Sequence, residues 1–221
     1  MSAPNMADRP IIFSVPMVRA LLEGRKTQTR RIVKPQSSKP FCGISTDGVK
    51  WWTNDDEAGV IEPLRVPYAV GYMLWVRETW GVGTRPCPVN GWRDGIEYRA
   101  DDDGSGGVLP LRSVDADLSE IKIGWHPSIH MFRWASRITL RVTEVRVQRL
   151  QEISEEDARA EGCPVTWDGK PYDPPKSDSW QGYGRYSFCL LWNSINGPGA
   201  WEANPWVAAI SFTVERRNID A

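Results

Sequence analysis

Apolar and polar positions along the chain follow a helical rhythm in some stretches and a strand rhythm in others. Val18, Leu21 and Leu22 form a helical stripe, with Ser14 placed to cap its start, Pro16 accepted in its first turn and Gly24 marking its end. Thr27 to Val33 then reads as a strand with Thr27, Thr29, Arg31 and Val33 on one face, which leaves Lys26 at the helix-to-strand corner. Tyr72 to Trp80, YMLWVRETW, is strand-like, and Gly95 to Arg99, GIEYR, is its expected partner. The longest strand candidate, Arg137 to Leu150, carries Ile138, Leu140 and Val142 on one parity and Val145 and Val147 on the other. That change of phase predicts a bulge or bend near Thr143-Glu144, as closed barrels use. Ser154-Glu155-Glu156-Asp157 has the form of a capping box, opening a short helix that Gly162 closes. Ser187 to Ile195 reads as a further helix, and Ile210, Phe212 and Val214 alternate as a final strand.

The segments between these elements lack a period. Residues 34–68 are rich in Pro, Ser, Gly and Asp, with one hairpin expected around Thr46-Asp47-Gly48 leading into Val49, Trp51 and Trp52. Asp101 to Gly107, DDDGSGG, is expected to be a mobile loop, and residues 163–183 carry Pro174-Pro175 without periodicity. Short helices and about six strands without a βαβ rhythm give an α+β fold class: a small mixed β-barrel with short flanking helices. The 221 residues fit a single domain, 1–221, with loop insertions at approximately 34–68, 100–125 and 163–183.

Composition narrows the function classes. A net charge of −1 means that the whole protein does not attract nucleic acid, so any such contact needs a local basic patch. Arg25, Lys26, Arg30 and Arg31 are the best one. The 12 tryptophans are spread from Trp51 to Trp206 and read mainly as core packing, with Trp75, Trp80 or Trp134 as candidates to line a groove where a base stacks. Cys42, Cys87, Cys163 and Cys189 show no metal-ligand spacing, so reduced thiols in a cytoplasmic protein are expected, with no metal and no cofactor. His126 and His130 fit structural roles. No apolar run approaches ~18 residues and no signal peptide is present, which predicts neither membrane insertion nor secretion. The scattered apolar surface suggests a monomer.

Two places carry candidate chemistry. Arg25, Arg30 or Arg31 near Lys26, together with partial burial, would favour the neutral amine and make that lysine a base. A solvated strand edge and a phosphate grip are equally compatible with the spacing, and Arg30 is the residue expected to be merely solvated. Glu161 sits in the last turn of its helix, where the macrodipole opposes a carboxylate. Such a broken rule marks either a functional proton donor or an exposed, slightly unfavourable glutamate.

Gly24-Arg25-Lys26-Thr27-Gln28-Thr29-Arg30-Arg31, the strand Gly71 to Trp80 (GYMLWVRETW) and Ser154 to Glu161 together resemble the ASCH family of PUA-like barrels. The wider pattern, with PIIFSVPMVRALLEGRKTQTRRIV near the start and NPWV near the end, is similar to ASCH-domain proteins of phages and prophages. ASCH domains are regarded as RNA- or nucleoside-handling modules, and small bacterial members remove the acyl group from N4-acetylcytidine. The resemblance implies Lys26 as proton acceptor, Thr29 as nucleophile and Glu161 as proton donor. It implies Arg25, Arg31, Gly24, Trp75 and Glu78 as substrate-binding residues. The implied activity is recognition of a modified pyrimidine nucleoside or nucleotide, with hydrolysis of an exocyclic amide. A threonine hydroxyl needs a base to become a nucleophile, and amide cleavage needs an acid for the leaving amine, so the three residue types are coherent. Backbone amides near Gly24 are candidates for holding the oxyanion. Two alternatives remain: a non-catalytic RNA or single-stranded DNA binding module, and a metal-independent ribonuclease. The chain departs from the family in its length, its insertions and Val70-Gly71-Tyr72 before the strand.

Overall fold

The computed structural model describes residues 8–34, 36, 41–44, 51–54, 61–87, 91–102, 104, 112, 116–163 and 183–221. In chain order its elements are β1 (Asp8–Ile12), α1 (Val15–Leu22), β2 (Gln28–Ile32), β3 (Phe41–Ile44), β4 (Trp51–Asn54), β5 (Ile61–Leu64) and β6 (Met73–Arg77). There follow β7 (Trp80–Cys87), β8 (Gly91–Tyr98), β9 (Gly124–His126), β10 (Thr139–Arg149), α2 (Glu155–Ala160), α3 (Tyr183–Asn196) and β11 (Trp206–Glu215). The class is α+β. The chain divides into two compact units: residues 1–22, 73–140 and 214–221 form one, and residues 23–72 and 141–213 the other.

In the first unit, β1 runs parallel to β6, from Asp8 beside Met73 to Ile12 beside Arg77. Met73, Leu74, Trp75 and Val76 are all buried, as expected of a strand covered on both faces. Helix α1 begins where the Val18 amide donates to the Ser14 carbonyl, and buries Met17, Val18, Ala20 and Leu21. A separate sheet has the order β8-β7-β9. Trp80, Val82, Ile96, Tyr98, Leu118, Met131 and Ala135 form its core.

YMLWVRETW is therefore not one strand. It breaks at Glu78-Thr79, where the Glu78 amide points at Met131 Sδ, 3.3 Å away, and the Thr79 carbonyl accepts from the Arg99 amide. Trp80 starts a new strand, and GIEYR pairs with that strand rather than with β6: Trp80 faces Tyr98 and Val82 faces Ile96.

In the second unit, β2 pairs antiparallel with β11, placing Thr29 beside Ile210 and Arg30 beside Ala209. Trp206 to Ile210 are all buried. Strands β3, β4 and β5 form a small antiparallel sheet, whose first two strands flank the expected hairpin; its turn at Thr46-Asp47-Gly48 lies outside the described residues. Most of DDDGSGG and of 163–183 also lies outside them. Helices α2 and α3 pack around Leu150, Ile153, Ala158, Phe188, Cys189, Trp192, Trp201 and Val207. Ser154 caps α2 as expected, its Oγ accepting from the Asp157 amide at 3.0 Å. Gly162 follows with φ of 73°, a conformation that suits glycine at a helix end.

Strand β10 stays continuous through the expected change of phase: Leu140 and Val142 are buried at even positions and Val147 at an odd one. The described strands form open sheets, and no closed barrel is found among the described residues. No described helix is long and apolar enough to cross a membrane.

Candidate functional site

Helix α1 ends at Leu22, Gly24 turns with φ of 76°, and the chain reaches β2 after three further residues, so Lys26 stands at the corner that the sequence suggested. There Lys26 forms an isolated antiparallel bridge with Glu161, the C-cap of α2. The Thr27 amide donates to the Ala160 carbonyl at 2.8 Å, and the Phe212 amide to the Thr27 carbonyl at 3.0 Å. One backbone bond thus holds this corner to the end of α2 and the other holds it to β11.

Lys26 is 1% exposed and Glu161 is 3% exposed. Lys26 Nζ donates to Glu161 Oε2 at 2.8 Å and to the Glu161 carbonyl at 2.7 Å. The ammonium therefore answers the anomaly of an acidic residue at a helix C-terminus: one cation meets both the side-chain carboxylate and the negative end of the backbone dipole.

Arg30 is the main departure from expectation. It was the residue expected to be solvated, yet its side chain is 0% exposed. Its Nη1 donates to Glu161 Oε1 at 3.0 Å and its Nη2 to Asp157 Oδ2 at 2.8 Å, while Nη1 also meets Gln28 Oε1. The Phe188 ring of α3 lies 5.7 Å from the guanidinium carbon. Buried arginines survive only with such pairing, because desolvating a lone cation is costly.

Asp157, at the third position of α2, does not return its carboxylate to the Ser154 amide. It accepts from Arg30, from Arg146 Nη2 at 3.0 and 2.9 Å, and from Gln28 Nε2 at 3.1 Å. Burial works to raise this carboxyl, but Arg30, Gln28 and Arg146 outweigh it and hold the pKa below its ordinary value. The sequence did contain a signal for the pair, since Asp157 and Glu161 are four residues apart on one helix face and Gln28 and Arg30 two apart on one strand face.

Thr29 is buried, and strand alternation places it on the opposite face of β2 from Gln28 and Arg30. Arg31 is half-buried beside Ala208. Arg25 is exposed; it pairs with Glu23 and donates to the Gly162 carbonyl at 3.1 Å. Gly24 is exposed beside it. Cys163 follows directly. Burial pushes its thiol up to about 12, with the Glu161 carboxylate adding and Lys26 and Arg30 opposing, so it is a protonated thiol at neutral pH.

Trp75 and Glu78 belong to the first unit. Trp75 is buried in β6, with the Arg77 guanidinium 4.7 Å from its ring. Glu78 is gripped by Arg137 at 2.8 and 2.9 Å, and the same guanidinium binds Asp101 at 2.7 and 2.9 Å and lies 3.9 Å over Tyr98. Burial raises the Glu78 carboxyl in spite of Arg137, and pushes the Tyr98 phenol up to about 12. His126 lies against Trp80, ring centroids 4.9 Å apart. No group of His, Cys, Asp or Glu among the described residues is arranged to hold a metal ion.

No protein-family model, curated protein or solved structure matches the chain.

Proposed function

We propose that the chain is an ASCH-type, PUA-like protein that hydrolyses an exocyclic amide on a modified pyrimidine nucleoside, N4-acylcytidine being the type substrate. The observation that carries this reading is the 2.8 Å hydrogen bond between Lys26 Nζ and Glu161 Oε2 in a buried setting. One proton moved along that bond turns ammonium and carboxylate into amine and carboxylic acid. Those are the forms that a lysine acceptor and a glutamic donor need.

The Thr29 hydroxyl gives its proton to Lys26 as its oxygen bonds to the acyl carbon. The carbon–nitrogen bond breaks as Glu161 protonates the leaving cytosine amine, and water hydrolyses the threonyl ester to free carboxylic acid and threonine. The role of Thr29 rests on the resemblance alone: strand alternation turns Thr29 away from the face of β2 on which Arg30 meets Glu161, so the step requires its hydroxyl to be brought round to Lys26. Since Lys26 and Glu161 are 1% and 3% exposed, the reading requires their surroundings to open to admit a nucleoside.

A phosphate-gripping stripe is the weaker reading, because Lys26 and Arg30, half of the basic run, are buried and paired with carboxylates. The test is incubation of the purified protein with N4-acetylcytidine, with free cytidine measured by chromatography. Release by the wild type and its loss in Lys26→Ala and Glu161→Ala is the expected result. No release, or release that survives both substitutions, overturns the proposal. Turnover retained by Thr29→Ala would instead make water the nucleophile.

A further inference from the structure

We infer that Arg30 and Asp157 are positioning residues that hold the Glu161 carboxylate against Lys26. The inference rests on the amide-hydrolysis reading for its kinetic consequence, but its geometry stands by itself. Glu161 has two carboxylate oxygens, and each is assigned: Oε2 to Lys26 at 2.8 Å and Oε1 to Arg30 at 3.0 Å. With Oε1 held, rotation about the last side-chain bond is stopped and Oε2 stays on the lysine.

Arg30 is itself fixed from behind. Its second terminal nitrogen binds Asp157 Oδ2 at 2.8 Å, and Asp157 is anchored by its place one helical turn before Glu161 and by Arg146. The guanidinium is planar, so fixing Nη2 on Asp157 fixes where Nη1 meets Glu161. Gln28 is the strut between them, accepting from Arg30 and donating to Asp157 and to Ser211 Oγ at 3.1 Å. The result is a string of alternating charge, Arg146, Asp157, Arg30, Glu161 and Lys26, from a side chain 40% exposed to one 2% exposed. Supporting groups of this kind set whether a reactive pair sits at productive distance, and small displacements are costly to rate.

The experiment compares Arg30→Lys and Asp157→Asn with the wild type. Arg30→Lys keeps the charge but removes the planar fork that reaches two carboxylates at once. Asp157→Asn keeps shape and removes the anion, so it carries the test if Arg30→Lys does not fold. Each variant is measured for kcat and KM on N4-acetylcytidine and its crystal structure is determined. The expected result is a kcat lowered by about tenfold or more with KM within about twofold, and a Glu161 Oε2 to Lys26 Nζ separation lengthened past hydrogen-bond range. An unchanged kcat in a folded variant overturns the inference. If the wild type releases no cytidine, the functional proposal fails, and the positioning role is decided by the structures alone: displaced Glu161 supports it, and an unmoved Glu161 overturns it.

Discussion

Glu155 fastens the start of α3 through Gly184: its Oε2 accepts from the Gly184 amide at 2.9 Å, and its Oε1 from the Arg185 amide at 2.8 Å. The first turn of α2 thereby satisfies the opening amides of another helix. The approach is close, since a Cβ built on Gly184 would lie 3.1 Å from the Glu155 carbonyl oxygen and 3.3 Å from Ala158 Cβ. Glu155→Ala is expected to destabilise the protein by about 1–2 kcal/mol, the usual cost of losing a helix cap. Gly184→Ala is expected to destabilise it too, because crowding outweighs the better helix propensity of alanine. Urea unfolding of the full chain reads both, and a raised midpoint for Gly184→Ala would show that the two helices have slack.

Breaking the buried pair should cost more than removing it whole. Lys26→Met leaves Glu161 still paired with Arg30, and is expected to destabilise the protein by less than the roughly 3–5 kcal/mol of a wholly unpaired buried charge. The double variant Lys26→Met/Glu161→Gln should recover part of that loss. A double-mutant cycle in urea measures the coupling, and additive single costs would mean that the two residues do not interact energetically.

Asp157 links stability to acid. Its folded-state pKa lies below the unfolded one, so its contribution is present above about pH 4 and is lost as pH falls through the folded value. Asp157→Asn is expected to be less stable than wild type at pH 7, with the gap narrowing as pH falls below the ordinary aspartate value. Denaturation midpoints at pH 7, 5 and 3 give the answer, and a gap independent of pH would remove the charge from the explanation.

Glu78 has the opposite sign. Its folded-state pKa is raised, so its contribution is greatest below the ordinary carboxylate value and falls as pH rises through the folded value. Arg137 opposes that loss by binding both of its oxygens. Arg137→Met is therefore expected to cost about 3–5 kcal/mol at pH 8, where Glu78 would be a buried unpaired anion, and less at pH 5. Thermal melts across that range check it; a cost that grew toward pH 5 would contradict the sign.

Local rules accounted for the short elements. Ser154, Gly162 and Gly24 fall where caps and stops belong, because those positions are decided by backbone geometry within one turn. The break in YMLWVRETW was hidden, since Glu78 and Thr79 continue the strand pattern and the interruption comes from Met131 and Arg99, distant in sequence. The burial of Arg30 is hidden for a similar reason: an arginine in a basic run reads as solvated until two carboxylates more than a hundred residues away are placed beside it.

The spacing of Asp157 and Glu161 has a consequence for how this chain can change. Each residue of an α-helix turns the chain by about 100°, so one residue added or lost between them would swing one carboxylate away from the guanidinium. Exposed Glu156 and Arg159 can vary in kind, but the number of residues in that turn cannot. Helix α2 is thus a measured spacer, tolerant of substitution at those two exposed positions and intolerant of any change in count.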